Sequence, residues 1–381
     1  MIYLDNAATS WPKPEAVYQT VDKVMRQAGA NPGRSGHTMA LAADRVIQET
    51  RRLTAQLFSV PDPSRIIFTL NATDALNLAL KGLLQAGDHV ITGSMEHNAL
   101  ARPLEALCKT GVEVSKVATS PFSGLAAADI RTALRPNTKL IAVSHASNVT
   151  GTLNPIVDIA RVAKAAGVLL LVDCAQTAGL FPIDVGKMGI DLLAFPGHKA
   201  LFGCQGVGGL YIGRGISLKP LREGGTGSRS ESLEQPEECP DRYESGTLNT
   251  PGIAGLGAGI RFILETGQDI VRRREEVLTN MLLTGLEKIR PVVLYGPSAG
   301  KTRAAVVSFG VPGIDPAEIS LILDQSFQIA SRAGLHCAPD AHLTLGTSRG
   351  GTVRLSPGYF TTEAEIEQCL QAVAAVIAEL C

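Results

Sequence analysis

Short apolar runs alternate along the first half of the chain with longer stretches in which apolar residues recur every three or four positions. The short runs predict buried β-strands at residues 65–69, 89–92, 112–117, 140–144, 168–173, 192–195 and 208–212. The longer stretches between them predict helices at residues 72–84, 99–108, 126–134 and 156–166. Strands that alternate with helices are typical of an α/β fold, so we predict a mostly parallel central sheet.

The pattern changes near residue 251, where one long helical tract over residues 253–289 precedes several strand-like runs and a last helix at residues 363–380. We therefore predict a large domain at residues 14–260 and a smaller α+β domain at residues 261–381, with residues 1–13 packed on the smaller one. A polar, glycine-rich segment at residues 223–246 predicts a long loop. Loops of this length are uncommon unless they serve a function.

Composition narrows the class of protein. The 381 residues are 45% hydrophobic and 19% charged, which is typical of a globular enzyme with a sizeable core. A net charge of −1 argues against a nucleic-acid partner, and no apolar run reaches membrane-spanning length. No secretory signal is visible at the start, and the seven cysteines are dispersed without a C-x-x-C pair. These features together predict a reducing, cytoplasmic location.

An acid and a lysine suggest a cofactor class. Asp173 ends a predicted strand, where ligands bind in open α/β sheets, and Lys199 follows later in a glycine-rich turn. Pyridoxal phosphate chemistry requires a lysine to hold the cofactor aldehyde and an acid to keep the pyridine nitrogen protonated. Two simpler interpretations remain open, with Asp173 as a helix cap and Lys199 as a surface lysine.

A candidate phosphate site lies at Asn71, Ala72 and Thr73, which follow one predicted strand and open a helix. A helix start presents free N–H groups to an anion. Simple capping of the helix by Asn71 or Thr73 explains the same residues equally well.

Cys337 is the candidate nucleophile, because its loop places it between Arg332 and His336. Positive charge nearby favours the thiolate, which is the reactive form of cysteine. A zinc site made of His336, Cys337 and His342 would lack a fourth ligand, so we predict no metal. Arg354 fits either a clamp for a substrate carboxylate or a surface arginine.

Two glycine-rich segments resemble nucleotide sites and are rejected. Residues 296–302 have three residues between the glycines where a P-loop requires four, and a β-rich run follows instead of a helix. Residues 255–259 lack the preceding strand of a dinucleotide site. Both segments are interpreted as packing or turn glycines.

Seven motifs along nearly the whole chain resemble the class V aminotransferase-like family of pyridoxal phosphate enzymes, specifically the cysteine desulfurases and selenocysteine lyases. They stand at residues 3–9, 95–98, 147–152, 172–176, 197–199, 243–247 and 332–339. The resemblance implies a homodimeric fold-type I enzyme with pyridoxal phosphate as cofactor and active sites shared between subunits. The compact loop around Cys337 is similar to that of the short-loop desulfurases.

The resemblance also implies roles for individual residues. Those expected to hold the cofactor are Lys199 at the aldehyde, Asp173 at the pyridine nitrogen, His97 on the ring, Gln176 at the phenolic oxygen, Ala72, Thr73 and His198 at the phosphate, Asn148, and Gly246 with Thr247 at the neighbouring subunit's phosphate. Those expected to bind the substrate are Asn148, Arg354, Arg332 and His37.

The implied reaction converts L-cysteine to L-alanine and leaves a persulfide on Cys337, from which sulfur passes to an acceptor protein, as in iron–sulfur cluster assembly. Rival functions are a selenocysteine lyase, an epimerase or a kynureninase-like hydrolase that does not use Cys337, and a non-catalytic sulfur carrier. Pro196 departs from many relatives, in which a Ser or Thr hydroxyl at that position contacts phosphate. Because proline offers neither a hydroxyl nor an N–H, phosphate binding is expected to depend more on Thr73, His198 and Thr247.

Overall fold

A computed structural model describes residues 1–33 and 36–380. The strands are β1 (Ile2–Tyr3), β2 (Ile66–Thr69), β3 (His89–Gly93), β4 (Glu113–Val117), β5 (Thr119–Ser120), β6 (Gly124–Leu125), β7 (Thr138–Ser144), β8 (Leu169–Asp173), β9 (Leu192–Pro196), β10 (Gly208–Ile212), β11 (Val293–Tyr295), β12 (Val307–Gly310), β13 (Ile329–Ala330), β14 (Arg332–Gly334) and β15 (Thr352–Leu355). The helices are α1 (Glu15–Gln27), α2 (Thr38–Leu57), α3 (Ala72–Leu83), α4 (Asn98–Cys108), α5 (Ala127–Thr132), α6 (Ile156–Ala166), α7 (Val185–Met188), α8 (Thr250–Thr266), α9 (Gln268–Leu286), α10 (Pro316–Phe327), α11 (Pro339–Leu345) and α12 (Glu363–Leu380).

A seven-stranded sheet in the order β2-β10-β9-β8-β7-β3-β4 forms the centre of the molecule. Its strands run parallel except β10, which is antiparallel to both neighbours. Side chains alternate between the two faces of the sheet, so that Ile141 and Val143 join one buried apolar cluster while Leu140 and Ala142 join another. Because helices cover both faces, these strands are continuous apolar runs. The predicted α/β fold with a mostly parallel sheet is confirmed.

A second, four-stranded sheet in the order β11-β12-β15-β14 comes from the last third of the chain. It shares an apolar core with α9, α10 and α12, and Leu4 at the start of the chain belongs to the same core. Strand β1 pairs with β13. The boundary proposed at residue 260 lies within α8, and the division into two domains stays a prediction.

The helical tract expected over residues 253–289 is wrong as a single element. The structure has two helices there, α8 and α9, which meet at Gly267. Gly267 has φ +94, a backbone conformation that glycine adopts without a steric penalty. A lone glycine within a helical pattern gives little warning of such a break, because many helices tolerate one.

The long loop predicted at residues 223–246 is confirmed, since it contains neither a helix nor a strand. No helix within the described residues is both long and apolar enough to cross a bilayer. The six cysteines within those residues are free thiols, and Cys381 lies outside them.

A buried ion pair fixes the end of the long loop to the main sheet. The guanidinium of Arg51 on α2 donates two 2.8 Å hydrogen bonds to Glu244, and the two side chains are 3% and 5% exposed. Glu244 also accepts the N–H of Phe68 at 2.6 Å, and Arg51 lies 4.7 Å over the Phe68 ring. One carboxylate therefore connects α2, β2 and the loop.

We expect Arg51→Ala to lower the free energy of unfolding by about 3 kcal/mol, because it leaves the Glu244 carboxylate buried without its counter-charge. Arg52→Ala is the matched control: the Arg52 side chain is 62% exposed and pairs with the exposed Glu49, so a change below about 0.5 kcal/mol is expected. Urea unfolding of the two variants measures both. Equal losses would contradict the anchoring role of Arg51.

Candidate active site

The carboxyl ends of three adjacent strands open into one pocket of about 210 Å³. Ser144, Asp173 and Pro196 end β7, β8 and β9, and all three line it. The pocket collects most of the predicted site residues, namely Ala72, Thr73, His97, Asn148, Asp173, Gln176, His198, Lys199, Arg332 and Arg354. Its position is the one at which open α/β sheets bind ligands.

Asp173 and Lys199 face this pocket together. Burial raises the pKa of the Asp173 carboxyl, and this effect is opposed by the N–H of Ala175, which Oδ1 accepts at 2.9 Å, and by the charge of Lys199. Lys199 opens onto the pocket but is otherwise enclosed by protein, and this burial lowers its pKa to about 8. A lysine with such a pKa has an appreciable fraction of neutral, nucleophilic amine near neutral pH.

The part of the pocket next to α3 suits an anionic group. Asn71 caps α3 by accepting the N–H of Asp74 at 2.9 Å, so the helix begins at the pocket wall with Ala72 and Thr73. Within the described residues, Nδ1 of His198 is buried without a hydrogen-bond partner. An orphaned ring nitrogen and a helix N-terminus that line one pocket fit a phosphate, and a lysine and an acid on the same pocket fit an aldehyde-bearing pyridine. The residues present therefore fit pyridoxal phosphate.

His97 lies on the pocket wall at the start of α4, where its Nδ1 accepts the N–H of Ala99 at 3.0 Å. Burial, followed by the charges of Lys199 and Arg332, lowers its pKa to about 4. The ring is therefore neutral near pH 7, and a neutral imidazole ring can stack on a flat aromatic ligand.

Glu96 and Ser144 were missed by sequence reasoning. Glu96 is buried, and its Oε2 accepts both the N–H and the hydroxyl of Ser144, at 2.9 and 2.5 Å. Burial raises the pKa of Glu96 to about 7. Ser144 lies directly opposite Asp173 on the neighbouring strand. The location of Glu96 beside His97 in a family motif was the available signal.

Cys337 lies beside the pocket in a loop fixed by two backbone contacts. The carbonyl of His336 accepts the side-chain amide of Asn148, and the carbonyl of Cys337 accepts the N–H of Asn98, both at 2.7 Å. His336 and Cys337 both have positive φ, at 48° and 57°. The side chain of Cys337 is exposed, and Arg332 donates Nη2–H to its sulfur at 3.5 Å. The loop thus presents the thiol next to the pocket-lining residues Arg332 and His336.

Arg354 is 1% exposed, which excludes the surface interpretation of this residue. It lies on β15 directly opposite Arg332 on β14. The two arginines therefore form a cationic wall of the pocket, which suits a substrate carboxylate.

Besides Cys337, three predicted residues lie outside the pocket of their own chain. Gly246 and Thr247 belong to the loop after β10, and Thr247 lines a separate cavity with Thr69 and Arg222. His37 is exposed and caps α2 through a 3.3 Å bond from the Ala40 N–H to Nδ1. The expected role of Thr247 concerns a neighbouring subunit, so a single chain does not test it.

The two nucleotide-like segments behave as packing and turn glycines. Residues 296–302 run between β11 and β12 without a following helix. Residues 255–259 lie inside α8, where a Cβ on Gly259 would clash with the Leu201 carbonyl. Among the described residues, no group of three His, Cys, Asp or Glu side chains could hold a metal ion.

Comparison with known proteins places this site in context. A family model described as aminotransferase class-V matches residues 2–369. A probable cysteine desulfurase of Methanothermobacter thermautotrophicus is 34% identical over 373 residues, which cover 96% of this chain and 92% of the relative. The cysteine desulfurase of Yersinia pestis is 35% identical over 349 residues, which cover 89% and 84%.

Solved structures agree with these sequence matches. The apo structure of a cysteine desulfurase from Thermococcus onnurineus superposes with a TM-score of 0.93 at 33% identity, covering 99% of this chain and 95% of the other. A cysteine desulfurase of Escherichia coli in its S-sulfonic acid form gives a TM-score of 0.89 at 27% identity, covering 99% and 94%.

Proposed function

The chain belongs to the class-V aminotransferase family, and from this premise we propose that it is a pyridoxal-phosphate-dependent cysteine desulfurase. The proposal rests on one arrangement: Asp173 and Lys199 face a pocket whose edge carries Cys337 in contact with Arg332. An acid–lysine pair alone fits many reactions of this cofactor. The adjacent exposed thiol favours sulfur transfer.

The cofactor would be held by groups already described. Lys199 would bind its aldehyde, Asp173 its pyridine nitrogen, and Ala72, Thr73 and His198 its phosphate. When bound, pyridoxal phosphate supplies an electron sink that weakens the bonds at the substrate's α-carbon. Pro196 lines the same pocket without a donor, so we propose that Thr73 and His198 carry most of the phosphate contact.

The chain's own residues have separate roles in the reaction of L-cysteine. Arg354 and Asn148 would orient the substrate carboxylate, and Lys199 Nζ would take the α-proton and later return a proton to carbon. The Cys337 thiolate attacks the substrate sulfur; an S–S bond forms while the bond between that sulfur and the β-carbon breaks. The carbon skeleton keeps the electron pair and gains a proton. Cysteine and one enzyme thiol thus become alanine and one enzyme persulfide.

The direct test incubates cofactor-loaded protein with L-cysteine and a thiol reductant, and measures alanine and sulfide. We expect equal amounts of both. Bound cofactor without alanine production would overturn the proposal in favour of an epimerase or hydrolase. A far higher rate with selenocysteine would favour a selenocysteine lyase. Because the carboxylate and amine of selenocysteine are identical to those of cysteine, the difference in rate would come from the selenium atom.

We also propose a homodimer in which Gly246 and Thr247 serve the neighbouring active site, and an acceptor protein that takes sulfur from Cys337. The location of Thr247 outside its own pocket and the exposure of Cys337 support these two points. The dispersed, free cysteines support a reducing, cytoplasmic location.

The pKa of Lys199 predicts how the cofactor-free protein takes up pyridoxal phosphate. Burial lowers this pKa to about 8, so the neutral amine that reacts with an aldehyde increases with pH up to that point. We expect the loading rate to rise about tenfold per pH unit well below pH 8 and to level off above it. The absorbance of the lysine-bound cofactor follows the rate. A rate that still climbs steeply between about pH 9 and 10 would indicate an ordinary lysine.

A further inference from the structure

Arg354 is held by two contacts that the reaction itself does not explain. Its Nη2–H donates to Oδ1 of Asp5 at 2.7 Å, and its Nη1–H donates to the backbone carbonyl of Asn148 at 3.1 Å. Within the described residues, its Nε has no partner. The guanidinium is therefore fixed at both terminal nitrogens before any substrate arrives.

Asp5 reaches Arg354 from outside the pocket. It follows β1, and its backbone forms a bridge with Ser356 just after β15. Ala7 and Ala8 of the same segment line the pocket, as Arg354 does, whereas Asp5 is not among the lining residues. The carboxylate thus stands beside the arginine and leaves the pocket clear for a ligand.

The charge of Asp5 has a second effect, because Arg332 lies directly opposite Arg354. Like charges at directly opposed strand positions repel each other. Burial and Arg332 both lower the pKa of Arg354, and Asp5 opposes them. Without the carboxylate, a buried guanidinium would face a second cation with only a backbone carbonyl as partner.

We propose that Asp5 is a positioning residue for substrate recognition: by holding and neutralising Arg354, it aims the guanidinium at the carboxylate of the amino-acid substrate. This inference rests on the proposed function. The planar fork of arginine binds a carboxylate well only when its orientation is fixed. Asp5 and Asn148, which lie far apart in the sequence, supply that fixation.

The test compares ligands with and without a carboxylate on the cofactor-loaded enzyme. L-Alanine and ethylamine both offer an amine and differ by the carboxylate, and cofactor absorbance reports the binding of each. In Asp5→Asn, we expect affinity for L-alanine to fall about tenfold and KM for L-cysteine to rise about tenfold, with kcat within about twofold. Affinity for ethylamine should stay unchanged.

Asp88→Asn is the matched control, since Asp88 pairs with Lys139 at 3.0 Å and is 18% exposed, against 21% for Asp5. It should leave both ligands unaffected. Asp5→Glu should restore part of the L-alanine affinity, and it replaces Asp5→Asn if that variant does not fold. Equal weakening of both ligands, or unchanged L-alanine affinity, would overturn the proposal. Absence of alanine production by the wild type would instead overturn the proposed function, and the binding comparison would still report on Asp5.

Discussion

Lys199→Ala is expected to lower alanine production from L-cysteine by at least about 1,000-fold, since proton transfer by a positioned side chain contributes up to about four orders of magnitude. Among the described residues, Lys199 is the one lysine that lines the pocket. Its neutral amine can take the α-proton because burial lowers its pKa to about 8. Alanine release at saturating cofactor measures the loss.

A second measurement distinguishes this loss of activity from unfolding or loss of the cofactor. The proposed phosphate contacts at Thr73 and His198 would remain in Lys199→Ala, so equilibrium dialysis should still detect bound pyridoxal phosphate while the absorbance of the lysine-bound form disappears. Lys13→Met is the matched control, because burial also lowers the pKa of Lys13 to about 8. Lys13 donates a hydrogen bond to the His198 carbonyl. In Lys13→Met this carbonyl still accepts the Ser10 N–H at 3.0 Å, so near-normal activity is expected. Equal losses in both variants would contradict a specific role for Lys199.

The central sheet could be predicted from the sequence because buried parallel strands are apolar on both faces. The runs at residues 168–173 and 192–195, for example, lie within one residue of β8 and β9. Strands β13 and β14 have two and three residues, too few for any periodicity. The break at Gly267 was missed for a related reason, because one residue changes the backbone direction without interrupting the helical pattern.

The site could be predicted as far as each residue carries a local signal. Asp173 ends an apolar run, Thr73 opens a helix, and Lys199 lies in a glycine-rich turn, so each was found from its neighbours in sequence. Arg354 was left undecided because burial is a property of the folded chain. Its pairing with Asp5 joins residues 349 positions apart, and no local pattern indicates such a contact.

Cys337→Ser separates desulfuration from the other reactions open to this family. We expect alanine production from L-cysteine to fall by at least about 1,000-fold, as expected for the loss of an essential nucleophile. A serine hydroxyl is not ionised near neutral pH and cannot form the S–S bond. Substrate binding should persist, because Arg354 and Asn148 are unchanged, and the shift of cofactor absorbance on adding L-cysteine measures it.

Cys108→Ser is the control for this variant, since Cys108 is also exposed but ends α4 away from the pocket-lining residues. It should keep full activity. An epimerase, a kynureninase-like hydrolase or a lyase that expels the substrate's sulfur or selenium directly would tolerate Cys337→Ser, because none of these needs an enzyme thiol. Undiminished sulfide release would therefore remove the sulfur-accepting role from Cys337 while leaving the cofactor chemistry at Lys199 and Asp173 in place. A loss of alanine production in Cys337→Ser but not in Cys108→Ser would support attack by the Cys337 thiol as the step that breaks the carbon–sulfur bond.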